Sequence, residues 1–170
     1  MIIKISTFRG DVTDTSAKKE ALFETVFTGY CALQIFEFLL TVSGIKGNEA
    51  AIESLLERVL YYTVSYMQMT ADQQSTWSQD PNQYVADESD EITGARCTCE
   101  LLLEELYSKF GAKATLTLNT VVLGRLGETL QLQASGCPEW WRLREAALFA
   151  IGTQVRHTQV SMSQNVCVFI

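Results

Sequence analysis

A chain of 170 residues, 47% hydrophobic and 19% charged, is long enough to bury a real core and too apolar for an intrinsically disordered polymer. Its formal net charge of −7 and pI near 4.7 argue against nucleic acid or an anionic membrane as direct partner. Five cysteines without framework spacing, and a start at Met1 that lacks a signal-peptide core, point to reduced thiols in cytosol and nucleus.

Residues 1–18 carry no strong period and are expected to be disordered. From Lys19 to Val42 the pattern is that of a long helix closed at Ser43-Gly44, and its second half is apolar on several faces at once, as in a helix sandwiched between neighbours. Asn48 is placed to cap a second helix carrying Ile52, Leu55, Leu56, Val59, Leu60 and Thr63 at helical spacing. Thr70 with Gln73 has the form of a capping box and opens a short helix containing Trp77. Asp80-Pro81-x-Gln83 repeats the device, with proline at the first helical position. The acidic stretch 86–91 should then form an exposed loop.

Residues 92–110 form a third long amphipathic pattern with Cys99, Leu102, Leu103, Leu106, Tyr107 and Phe110 inward, stopped by Lys109 and Gly111. A fourth, 112–133, carries the stripe Val121, Val122, Leu126 and Leu130, weakened by two glycines. A fifth begins after the turn Ser135-Gly136-Cys137-Pro138 and runs to about Arg156; the tail 157–170 is expected to be a frayed helix or an added end. Long helices in pairs, about 45 residues per pair, have the period of stacked helical hairpins. That pattern also suits an ordinary bundle. An end of such a stack should expose apolar side chains, Phe27, Phe36 and Phe38 among them.

Chemistry-bearing constellations are few. Cys97 and Cys99, two apart on a helix, point to different faces and cannot easily share a metal ion. His157 is the only histidine, and no phosphate-cradling glycine loop is present. No catalytic residue, metal or cofactor is assigned, and the chain is expected not to be an enzyme. Charge is the stronger signal: from Asp72 to Glu105 nine acidic residues face one basic residue, Arg96, a local net of −8 against −7 for the whole chain. Asp87, Glu88, Asp90 and Glu91 are the candidate contacts for a basic partner.

Three phrases, in order, resemble the importin-β family of nuclear transport receptors. They are Tyr61-Tyr62-Thr63-Val64-Ser65-Tyr66-Met67-Gln68-Met69-Thr70, then Trp77 with Asp80-Pro81-Asn82-Gln83-Tyr84-Val85 and the acidic run, then Trp141-Arg142-x-Arg144-Glu145-Ala146-Ala147. The resemblance covers residues 24–154 and implies an all-α HEAT-repeat α-solenoid over 19–156. It implies inter-repeat structural roles for Trp77, Trp141, Arg142, Arg144 and Glu145. It further implies the small GTPase Ran, basic cargo such as core histones and ribosomal proteins, and nucleoporins as partners. The other reading is a helical-repeat scaffold or regulatory subunit that joins proteins without transport.

Overall fold

The computed structural model describes the backbone of residues 31–89 and 95–167, and side chains within 31–86 and 95–158. Residues 1–18, Phe27, Asp90 and Glu91 lie outside the described residues. Helix α1 covers residues 31–44, followed by α2 (Glu49–Tyr66), α3 (Ala71–Gln79), α4 (Pro81–Ser89), α5 (Ala95–Phe110), α6 (Ala112–Ala134) and α7 (Trp140–Cys167).

Local chemistry accounts for most helix ends. Thr70 and Gln73 form the expected capping box, Gln73 N–H donating to Thr70 Oγ1 at 3.1 Å and Thr70 N–H to Gln73 Oε1 at 2.9 Å. Asp80 accepts from the Asn82 N–H at 3.0 Å, with Pro81 as first residue of α4. Asn48 sits at the N-cap of α2 without capping through its side chain. Glu49 acts there instead, accepting from Gly47 N–H at 2.8 Å; hydrogen bonding from its own backbone N–H, and next from that of Gly47, holds its carboxyl below the ordinary value. Gly111 alone joins α5 to α6, at φ +50°, a conformation that an L side chain resists.

Long-range pairs define the stack. Lys113 pairs with Glu53 and Arg125 with Ser65, each across 60 residues, so α6 runs parallel to α2. Arg96 meets Glu145 across 49 residues and Glu100 meets Thr153 across 53, so α7 runs parallel to α5. Lys109, near the end of α5, donates to Ser43 O at the end of α1, which aligns those two helices. The order is therefore one layer of α1, α5 and α7, and an opposed layer of α2 and α6. This is an all-α, HEAT-like solenoid. Leu60, Leu102, Leu103, Leu106 and Leu118 are fully buried between the layers.

Three local expectations change, at residues 86–89, Leu130 and Phe36. Residues 86–89, expected in a loop, are helical, because the Asp80-Pro81 start launches a helix that no breaker stops before Ser89. The tail from His157, expected as a frayed helix or an added end, is helical as a continuation of α7 to Cys167, since neither glycine nor proline interrupts residues 153–167. Leu130 is 58% exposed: the buried face of α6 runs through Leu118, Val122, Arg125 and Thr129 instead. Phe36 is buried, its ring 5.3 Å from that of Tyr66 in an edge contact, whereas Phe38 is exposed. The end of the stack does show an apolar groove between α1 and α2, about 340 Å³, lined by Ile35, Leu39, Leu55, Arg58 and Tyr62 among others.

Candidate interaction surface

The acidic stretch hangs on an excursion. Where α2 would turn directly into α5, the chain leaves as α3 and α4. No residue of α3 is buried, and Tyr84 and Val85 of α4 are exposed. Caps support helicity here, and so does an aromatic contact, Trp77 edge-on to Tyr84 with ring centroids 5.0 Å apart. Trp77 thus joins α3 to α4. Asp87 and Glu88 fall in the last turn of α4, where the free carbonyls carry the negative end of the helix dipole.

The excursion is pinned at its root. Arg142 Nη2 of α7 donates to Gln74 Oε1 of α3 at 2.6 Å, while the same group lies 3.3 Å from Glu139. Arg96, the basic residue within the acidic stretch, faces inward. Its two Nη atoms grip both carboxylate oxygens of Glu145 at 3.0 and 2.6 Å. Nη1 also donates to Met67 O at 2.9 Å, and the guanidinium lies 3.9 Å from the centre of the Phe149 ring. One side chain therefore ties α2, α5 and α7 together.

Of the phrase opening α7, Glu145 makes a true helix-to-helix ion pair and Arg142 reaches across to α3. Arg144 does not bridge helices: it is exposed, with its guanidinium 5.6 Å from the Trp140 ring of its own helix. Its side chain points away from the buried face that carries Leu143, Ala146 and Ala147. Trp140 and Trp141 are both half-buried.

Sequence reasoning missed Arg125. It is 7% exposed, donates to Tyr61 O at 3.1 Å, to Ser65 Oγ and to Glu128 Oε2 at 2.6 Å, and lies 3.4 Å from the Tyr61 ring centre. The available signal was a lone cation in the middle of an apolar stripe. Burial pushes the Cys99 thiol up to about 12, which suppresses the thiolate and with it nucleophilic or metal-binding use near neutral pH. Among the described residues no three His, Cys, Asp or Glu side chains converge as a metal set, and no helix is long and apolar enough to cross a membrane.

No protein-family model matches the chain. Over 125 residues it is 30% identical to Importin-9 of Drosophila melanogaster, a match covering 70% of this chain and 12% of that protein. The chain thus spans about an eighth of that relative's length. In sequence as in architecture it is similar to an importin-type helical-repeat protein.

Proposed function

We propose that this chain is a repeat segment of an importin-type receptor and that its acidic excursion holds a basic protein partner. The similarity to Importin-9 over most of the chain carries the reading. The receptor reading brings nuclear and cytoplasmic residence, regulation by Ran in its GTP form, and basic cargo of the core-histone or ribosomal-protein kind. The mechanism is binding and release by differential affinity, with no bond made or broken.

Charge supports the assignment to Asp87, Glu88, Asp90 and Glu91. Four carboxylates within five residues repel one another, and a cationic partner relieves that repulsion. Arg96, the basic residue of that stretch, is engaged by Glu145. Attraction of this kind speeds encounter and is screened over about 10 Å at 0.1 M salt.

The test is titration of the chain with core histone dimers and with Ran–GTP, at low and moderate salt. A variant with Asp87 and Asp90 changed to Asn, and Glu88 and Glu91 to Gln, runs beside it. Weaker binding by the variant, with the gap narrowing as salt rises, supports the proposal. Equal affinities at both salts would make the acidic run a solvated linker.

A further inference from the structure

Helix α4 carries an apolar stripe of its own. Pro81, Tyr84, Val85 and Glu88 fall at i, i+3, i+4 and i+7, the spacing that sets residues on one face of a helix. In a surface helix such a stripe turns toward a core. Here, among the described helices α2–α7, α4 packs against α3 alone. Pro81 is exposed, Val85 is 63% exposed, and Tyr84 is 43% exposed despite its edge contact with Trp77. The surroundings have one sign: from Val59 to Ala95 the chain holds six Asp or Glu residues and no Lys, Arg or His. Glu88 follows Tyr84 by one turn, a separation of about 5–6 Å along a helix face.

We propose that Tyr84 and Val85 form an apolar anchor site beside the acidic run, and that its occupant is an amphipathic basic segment of a partner protein. In that segment an aliphatic side chain stands one turn from Lys or Arg. This rests on the acidic-excursion reading above and narrows its partner from any polycation to an amphipathic one. Charge alone steers every polycation toward the excursion and selects poorly among them. An apolar contact is short-ranged, is not screened by salt, and forms only where the partner offers apolar surface in register. The charge around the stripe decides between occupants. An acidic helix would be repelled, and a neutral one would desolvate carboxylates without pairing them.

The test is titration of the whole chain with two fluorescent helical peptides of equal positive charge. In one, Leu stands four residues from Lys along one face; in the other every Leu is Gln. The Leu peptide should bind about tenfold tighter, the order that burial of one aliphatic side chain supplies. That ratio should hold as salt rises while both affinities fall. Val85→Gln, alone and with Tyr84→Gln, should reduce the ratio to about twofold or less, through weaker binding of the Leu peptide. Val85 is solvent-facing and Gln is a good helix former, so α4 should persist, which amide exchange within 81–89 checks. Equal binding of the two peptides, both weakened when the four acidic residues are neutralised, would overturn the anchor and leave the acidic reading standing. A ratio that survives both substitutions would overturn the anchor too, by placing the apolar contact elsewhere. Binding of neither peptide would sink the acidic reading and the anchor with it.

Discussion

The stack and the α3–α4 excursion are both helical, for different reasons. In the stack, leucines at positions 60, 102, 103, 106 and 118 are fully shielded, and buried apolar area dominates the energetics, at about 25 cal/mol per Å². In the excursion no residue of α3 is buried. Its two helices of nine residues each fall below the roughly 12–15 residues at which an isolated helix is even marginal in water. A capping box, a proline start, the Trp77–Tyr84 contact and a hydrogen bond from Arg142 support them. Elements with so little buried surface open at a lower free energy than a shared core.

The comparison is tested hardest at the shared core. Leu103→Ala removes a fully buried side chain and should cost about 2–5 kcal/mol in urea unfolding; a loss below 1 kcal/mol would mean the layers are loosely packed. Next comes the ionic tie. Arg96→Ala strands Glu145, whose side chain is 28% exposed, so about 2 kcal/mol is expected rather than the roughly 3–5 of a fully buried pair. A double-mutant cycle with Glu145→Ala should recover a coupling of about 1 kcal/mol or more. Additive losses would mean that the bidentate geometry contributes nothing.

A pH effect separates buried from exposed chemistry in the same way. Cys99 holds its proton to about 12 against an ordinary 9.0, so above pH 9 the unfolded chain ionises first. Stability from this group is intact below pH 9 and falls as pH rises toward 12, by about 1.4 kcal/mol per pH unit at full linkage. Tyr107, raised by the same burial, adds to the slope. Urea unfolding on either side of pH 9 should show the fall, and Cys99→Ala should reduce it. The smallest effect belongs to the excursion. Trp77→Ala should raise amide exchange throughout α3 and α4 while shifting global unfolding by no more than about 0.5 kcal/mol. A larger shift would mean that the excursion is part of the cooperative core.

What could be read in advance depended on range. The start signals at Thr70 and Asp80-Pro81 and the stop at Gly111 were legible because a cap acts within three or four residues of itself. So was the inward set Cys99, Leu102, Leu103, Leu106 and Tyr107 of α5, which has only one apolar face. α6 has two, and the pattern could not say which one turns inward. Leu130 was placed in the core on that account and stands in solvent, while the buried position went to Arg125, two of whose hydrogen-bond acceptors are 60 or more residues away on α2.

The sequence by itself determined that this chain is helical, where most of its helices begin and end, and where its negative charge is concentrated. These follow from periodicity and nearest-neighbour chemistry. Only the tertiary structure decided that α5 and α7 are parallel, that Arg96 faces inward to Glu145, and that α6 shows solvent a ridge of leucines. Each of those depends on which helices become neighbours after the chain has turned back on itself, and no local period encodes that choice.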